Sequence, residues 1–179
     1  MIRFFSFFIC LLSLSFSSCN SRQDKSKTPV GLKIGDKAPG LSIANPDGEK
    51  ISLSSLEGKL VLVDFWASWC PPCRKEHPKL VSCYNQFKEE EFINGRGFTI
   101  YSIACDRSKE DWLDAIQQDG LIWDNHVSDL KGWEAEATYV YDITVIPSNF
   151  LLDGNGIILD KNLNGDQLHE KLRSLVKQE

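Results

Sequence analysis

Apolar residues follow one another almost without interruption over residues 60–66, Leu-Val-Leu-Val-Asp-Phe-Trp, in the middle of the chain. A run of this kind is typical of a strand that is buried on both faces of a sheet. A second strand is predicted over 98–104, directly after the glycines of 95–97. Two pairs of shorter segments flank turns that contain Asp-Gly and predict β-hairpins: 41–44 with 49–53, and 145–152 with 156–160.

Helical patterns lie between and after these strands. Pro78 falls inside the first helix and is expected to kink it. Ser108, followed three residues later by Asp111, has the spacing of a helix start. The order of the elements predicts an α/β fold in which helices cover a central sheet that contains a parallel strand–helix–strand unit. Four helices are predicted: 71 to about 91, 108 to about 118, 134–140, and a final amphipathic segment on Leu168, Leu172, Leu175 and Val176.

Residues 1–18 have the pattern of a secretory signal peptide. Arg3 supplies a positive charge, 4–16 are apolar but short for a transmembrane helix, and two serines precede Cys19. The sequence Phe-Ser-Ser-Cys at 16–19 resembles a bacterial lipobox, in which the cysteine is lipidated, although leucine is usual at its first place. We therefore expect a lipid on Cys19 that attaches the protein to a membrane. The alternative is an ordinary signal peptide that is cut near Ser18.

Residues 19–33 are mostly polar, and we expect a lipidated, disordered tether there. Its fourteen residues after Cys19 would reach about 45–50 Å when fully extended. Residues 34–179 then form one domain, which works outside the cytoplasm, facing the periplasm and close to the membrane.

Composition sets limits on size and partners. The chain has 179 residues, of which 42% are apolar, enough for the core of a single domain. The net charge is −5 and no basic patch occurs, so we expect no nucleic-acid partner.

The sequence Cys70-Pro71-Pro72-Cys73 follows the strand at 60–66 and begins a helix. Unpaired N–H groups and the positive end of the helix dipole favour the thiolate form of a cysteine in this place. A second thiol one helical turn later can capture the first as a disulfide. Half of a zinc site is the alternative, but the preceding strand, the two tryptophans and the prolines favour a redox pair.

Cys83 and Cys105 are expected to be buried small apolar residues, with a second redox pair as the alternative. The three histidines do not fall at ligand-like spacings from the cysteines, so no metal site is predicted. No cofactor is expected beyond the redox-active disulfide Cys70–Cys73.

Residues 35–177 resemble the thioredoxin-like family, and in particular its membrane-tethered TlpA/ResA type of bacterial thiol–disulfide oxidoreductase. The resemblance rests on Gly-Asp-Lys-Ala-Pro at 35–39, on Phe-Trp-Ala-Ser-Trp-Cys-Pro-Pro-Cys-Arg-Lys-Glu at 65–76, and on Val-Ile-Pro at 145–147. It implies a thioredoxin-like fold with a central mixed β-sheet flanked by helices and an N-terminal β-hairpin extension.

The same resemblance implies a cis-proline at Pro147 beside the disulfide, where the backbone of Ile146 would face a substrate strand. A trans proline at a strand end is the alternative. Trp69 and Pro71, which flank Cys70, are expected to join Ile146 and Pro147 in binding substrate. Trp123, Trp133, Tyr139 and Tyr141 are expected to pack in the core, with a substrate groove as the alternative.

Two acids complete the expected site. Asp64 stands six residues before Cys70, where thioredoxins have a buried acid, and Glu76 stands three residues after Cys73, where ResA-like proteins have a buried glutamate. A buried carboxyl has a raised pKa and suits proton transfer to and from Cys73. Many TlpA-like proteins have Asn where Asp64 stands, which leaves the division of labour between the two acids open. A solvated Glu76 is the alternative, and His77 is expected to be a surface or packing residue, with a catalytic histidine as the alternative.

The predicted mechanism is attack by an exposed Cys70 on a substrate disulfide, followed by resolution through Cys73. No histidine between the two cysteines stabilises the Cys70 thiolate, which favours a reducing potential. We therefore expect a monomeric reductase of protein disulfides, re-reduced by an integral membrane thiol electron donor. The resemblance adds apocytochrome c haem-site thiols as one candidate substrate. The alternatives are a thiol oxidase or isomerase, a peroxiredoxin-like peroxidase, and a redox-inert surface binding module.

Overall fold

A computed structural model describes residues 28–178 of the chain. Nine strands and four α-helices alternate along it. They are β1 (Ser42–Ala44), β2 (Lys50–Ser52), β3 (Leu60–Trp66), α1 (Pro71–Phe87), β4 (Glu91–Phe92), β5 (Gly95–Arg96), β6 (Phe98–Ala104), α2 (Lys109–Gln118), β7 (His126–Val127), α3 (Glu136–Val140), β8 (Ser148–Leu152), β9 (Ile158–Lys161) and α4 (Gly165–Leu175).

The central sheet has five strands in the order β7-β6-β3-β8-β9. β6 runs parallel to both β3 and β7, whereas β8 runs antiparallel to β3 and β9, so the sheet is mixed. All seven residues of β3 are buried, as expected for the middle strand of a sheet with helices on its faces. The α/β thioredoxin-like fold predicted from the sequence is confirmed, including the parallel unit β3-α1-β6.

The first helix begins where its sequence requires. Pro71 and Pro72 occupy its first turn, where a missing N–H costs no hydrogen bond, and Cys70 is the N-cap. The predicted end near Glu91 is wrong, because α1 stops at Phe87. The short hairpin β4–β5 follows, and the Phe92 ring packs 6.3 Å from the Phe87 ring.

The N-terminal hairpin β1–β2 is fastened to the sheet by two hydrogen bonds. The Tyr101 hydroxyl donates to the Ile51 carbonyl at 2.8 Å, and the Ser128 N–H donates to the Ala44 carbonyl at 3.0 Å. This hairpin is the extension that the resemblance implied.

The predicted signal peptide and Cys19 lie outside the described residues. Over 29–33, the end of the predicted tether, the chain lies against the domain. The Lys37 N–H donates to the Pro29 carbonyl at 2.9 Å, the Gly31 N–H donates to the Lys37 carbonyl at 3.0 Å, and the partly buried Leu32 packs against the core. Within 28–178, no helix has both the length and the apolar character needed to cross a membrane.

Candidate active site

A disulfide joins Cys70 and Cys73 at the N-terminus of α1, with 5.3 Å between their Cα atoms. The chain leaves β3 at Trp66, turns through 67–69 and places Cys70 at the N-cap, where the Cys73 N–H donates to Cys70 Sγ at 3.2 Å. When the pair is reduced, this N–H and the helix dipole stabilise negative charge on the Cys70 sulfur.

The sequence predicts an exposed Cys70, but in the oxidised protein Cys70 is only 4% exposed. Its neighbours Trp69, Pro71 and Pro72 are exposed, with half of the Trp69 surface open to solvent. A substrate that reaches the disulfide must therefore contact the residues that flank Cys70.

Asp106 holds the turn that delivers Cys70. Its buried carboxylate accepts hydrogen bonds from the Ser68 N–H at 3.0 Å and from the Ser68 hydroxyl at 2.5 Å. Burial raises the pKa of Asp106, and the bonds from Ser68 act in the opposite direction. The sequence analysis did not identify this residue. Asp106 follows β6 as Ser68 follows β3, and the ends of neighbouring parallel strands lie at one edge of a sheet, so the strand pattern contained a signal for it.

The peptide bond between Ile146 and Pro147 is cis. Ser148, the next residue, pairs with Phe65 of β3, which brings Pro147 beside the end of the strand that leads to Cys70. Pro147 is exposed and lines a cleft of about 350 Å³ together with Cys73. The substrate-binding roles of Ile146 and Pro147 stay predictions.

Asp64 lies at the inner end of this cleft. It sits in the middle of β3, is 3% exposed, and is paired in register with Asn149 of β8 and Ser102 of β6. Burial raises its pKa to about 7. A carboxyl group that lines the same cleft as Cys73 and has this pKa can take up and return a proton near neutral pH.

Glu76 lines the same cleft but has a partner. It is half-buried, and its Oε2 accepts a hydrogen bond from the Gly165 N–H at 2.8 Å, at the first residue of α4. A carboxylate at a helix N-terminus is stabilised by the helix dipole. Glu76 thus ties α1 to α4 at the rim of the cleft, while Asp64 occupies its interior.

His77 also lines the cleft, and its side chain is 1% exposed. Its Nδ1 lies 2.6 Å from Asp119 Oδ2, and its ring meets the Trp66 ring edge-on at 4.7 Å. Burial lowers the pKa of His77, while the contact with Asp119 acts to raise it. His77 is a buried residue, so of the two placements predicted for it the surface one is wrong.

The two remaining cysteines of the domain are free and buried, as predicted. Burial raises the pKa of Cys83 to about 11 and that of Cys105 to about 12, so both are protonated thiols at neutral pH. Over residues 28–178, no group of three or more His, Cys, Asp and Glu side chains is arranged to hold a metal ion.

The four aromatic residues between α2 and Pro147 divide into two pairs. Trp123 and Tyr141 are buried in the core, as expected. Trp133 and Tyr139 are exposed, and the Trp133 ring lies 6.3 Å from the Trp69 ring beside Cys70. The prediction of core packing is therefore confirmed for Trp123 and Tyr141 and is wrong for Trp133 and Tyr139.

Comparisons with known proteins show which families and structures the chain is similar to. The model of the AhpC/TSA family matches residues 34–161. The thiol-disulfide oxidoreductase ResA of Bacillus thuringiensis is 30% identical over 146 residues, which cover 82% of this chain and 78% of that protein.

Two solved structures are similar in fold. The thioredoxin domain of a thiol-disulfide oxidoreductase from Bacteroides vulgatus superposes with a TM-score of 0.73 at 38% identity, covering 82% of this chain and all of that one. A thiol:disulfide interchange protein from a Bacteroides species gives a TM-score of 0.71 at 38% identity, covering 81% and 91%.

Proposed function

Since the chain belongs to the AhpC/TSA family, and its relatives include thiol-disulfide oxidoreductases, we propose that it reduces disulfide bonds of protein substrates outside the cytoplasm. The observation that carries the proposal is the Cys70–Cys73 disulfide at the N-terminus of α1, with the buried Asp64 lining the cleft beside it. A redox-inert binding module would not require a disulfide at a helix N-terminus together with a buried carboxyl group in the adjoining cleft.

The reaction needs two exchanges. In the reduced protein the Cys70 thiolate attacks one sulfur of a substrate disulfide, a mixed disulfide forms, and the first substrate thiolate leaves and takes up a proton. Cys73 then gives its proton to Asp64 and attacks Cys70 Sγ, which releases the second substrate thiolate, and Asp64 returns the proton to this thiolate. The substrate gains two electrons and two protons, and the Cys70–Cys73 pair is oxidised. No cofactor is needed beyond this pair.

The residues between the cysteines support the reducing direction. Pro71 and Pro72 bring no charge or donor to the Cys70 thiolate, and a reduced form that is less stabilised has a lower potential. A monomeric enzyme of this kind then needs an electron donor. An integral membrane thiol protein suits the proposed location, and apocytochrome c haem-site thiols remain one candidate substrate.

Insulin reduction by the full-length protein tests the activity. We expect turnover with dithiothreitol as donor, no turnover by Cys70→Ala, and normal turnover by the matched control Cys83→Ala. Equilibration with glutathione should give a potential nearer to about −270 mV than to about −120 mV. Absence of insulin reduction would contradict the proposal. A potential above about −180 mV would favour an oxidase or isomerase. Rapid consumption of hydrogen peroxide would favour a peroxidase.

Membrane attachment through Cys19 is tested separately. Two acyl chains on the cysteine would hold the protein on a bilayer, since each buried CH₂ contributes about 0.8 kcal/mol. We expect the wild-type protein in the membrane fraction of cells and Cys19→Ala in the soluble fraction. Wild-type protein in the soluble fraction would contradict the lipid anchor without affecting the thiol chemistry.

A further inference from the structure

The position of His77 gives it a defined tautomer. It lies one helical turn after Cys73 on α1, with Nδ1 2.6 Å from Asp119 Oδ2. Arg74 holds the same carboxylate through Nε at 2.9 Å and Nη2 at 2.6 Å. A carboxylate only accepts hydrogen bonds, so Nδ1 carries the proton and Nε2 of the neutral ring keeps its lone pair.

The other ring nitrogen of His77, Nε2, is free to accept a proton or a hydrogen bond. It makes no hydrogen bond to any residue of the described part of the chain, and it is not one of the fully buried nitrogens that lack a partner there. The ring lines the cleft that also contains Cys73 and Asp64. Nε2 therefore keeps a free lone pair on a ring that lines the same cleft as Cys73 and Asp64, where a water can join two polar groups.

The charged groups around His77 act in both directions. Arg74 on α1 disfavours a second positive charge, His126 of β7 lies close enough for the two rings to repel when charged, and Asp119 at the end of α2 favours the charge. Asp64 of β3 and Glu76 of α1 are the remaining acids of the cleft. Burial outweighs Asp119 and lowers the pKa of His77, so at neutral pH the ring can accept a proton.

Glu76 is less suited to the same task. Its Oε2 already accepts the Gly165 N–H at the start of α4 and joins the two helices. Asp64 and His77 are the buried acid and the buried histidine of the cleft, whereas Glu76 is half-buried.

We propose that His77, with its Nδ1–H held by Asp119, is a second proton acceptor for Cys73, in parallel with Asp64. During resolution the Cys73 proton passes to Nε2, directly or through one water, and the ring becomes an imidazolium that keeps its bond to Asp119. The Cys73 thiolate attacks Cys70 Sγ of the mixed disulfide, and the imidazolium proton passes to the departing substrate thiolate. The proposal rests on the proposed function, because it concerns the second exchange of that reaction.

The second exchange can be observed alone with the reduced full-length protein and 5,5′-dithiobis(2-nitrobenzoate). Attack by Cys70 releases one coloured thiolate, and resolution by Cys73 releases the other. His77→Asn keeps a donor near the position of Nδ1 but cannot accept a proton. We expect it to slow the second phase about tenfold at pH 7, and about a hundredfold when combined with Asp64→Asn relative to Asp64→Asn alone, with the first phase unchanged.

The pH profile separates proton transfer from a structural role. The loss should shrink as the pH rises, because hydroxide can then take the Cys73 proton, whereas a merely displaced helix would slow the second phase at every pH. His169→Asn, a histidine of α4 outside the cleft, should behave as wild type. A second phase within twofold of wild type in both backgrounds, or a loss that is equal at all pH values, would overturn the proposal. Failure of the wild-type protein to release either thiolate would instead count against the proposed function.

The wild-type protein offers an independent measurement should His77→Asn not fold. The chain has three histidines, so their imidazole signals can be resolved by nuclear magnetic resonance. Reduction of Cys70–Cys73 creates a titrating thiol beside His77, and we expect its pKa to change between the oxidised and reduced forms while that of His169 does not. Identical titration of His77 in both forms would contradict the proposal.

Discussion

Cys73→Ala abolishes the turnover of protein disulfides and leaves the attack by Cys70 intact. Without the second thiol, the mixed disulfide between Cys70 and the substrate persists, because only external thiols can release it. We expect insulin turnover to fall at least about a thousandfold, since an intramolecular thiol acts at an effective concentration far above that of any external thiol. Non-reducing gels of cell extracts should show covalent adducts of the variant.

These adducts also identify the substrates. Cys83→Ala and the double variant Cys70→Ala/Cys73→Ala are the matched controls, and neither should form adducts. If Cys70→Ala formed the adducts and Cys73→Ala did not, the order of attack would be reversed. The structure opposes that reversal, because Cys70 is the N-cap of α1 and lies directly after the exposed Trp69, whereas Cys73 is a turn deeper.

The elements that hold the thiols were predictable from local sequence. β3 and β6 have the bounds that their patterns predict, and α1 begins at its predicted proline, because a continuous apolar run and an N-terminal proline are signals within one segment. The strands β4, β5 and β7 were not predicted. Each has two residues, too few to show a period, and each forms only because a neighbouring strand offers it hydrogen bonds.

Some features of the candidate site were also predictable from local sequence, and others were not. The cysteine pair and Asp64 could be identified because they lie within one strand–turn–helix segment. The contacts of Asp106 with Ser68 and of Asp119 with His77 span 38 and 42 residues, and only the first has a signal in the sequence, because its two residues follow neighbouring parallel strands. Burial of Cys70 likewise depends on the tertiary arrangement around the turn. The sequence therefore predicts the reacting cysteines, while the contact of His77 with Asp119 and the burial of Cys70 are seen only in the folded chain.

The two buried acids on either side of the thiols differ in a way that affects their function. Asp106 has hydrogen-bond donors from Ser68, which stabilise its charge and make it a fixed support for the turn. Asp64 is surrounded by β-strand residues, and burial is the cause of its raised pKa. A carboxyl group without stabilising donors changes its protonation readily, which suits proton transfer and makes its charged form costly to the fold.

Asp64→Asn should therefore stabilise the protein at alkaline pH. The pKa of Asp64 is about 7 in the folded protein and 3.8 in the unfolded chain, so the folded state binds the proton more tightly. The contribution of Asp64 to the wild-type free energy of unfolding then falls as the pH rises from about 4 to about 7, and this contribution is constant above that range. The difference is about 3 pKa units, and at about 1.4 kcal/mol per unit it amounts to roughly 4 kcal/mol at pH 8.

Urea unfolding of the oxidised protein measures this effect, because the cysteine pair does not titrate in that form. We expect Asp64→Asn to be about 2–4 kcal/mol more stable than wild type at pH 8, equal to it near pH 4, and slower in disulfide exchange. Asp153→Asn is the matched control. Asp153 is also buried, but its carboxylate accepts the N–H groups of Asn155 and Ile157, so its replacement should gain no stability at any pH. A stability difference for Asp64→Asn that stayed constant between pH 4 and pH 8 would show that burial of this acid is not linked to its protonation, and Asp64 would then lose its role as the proton acceptor for Cys73.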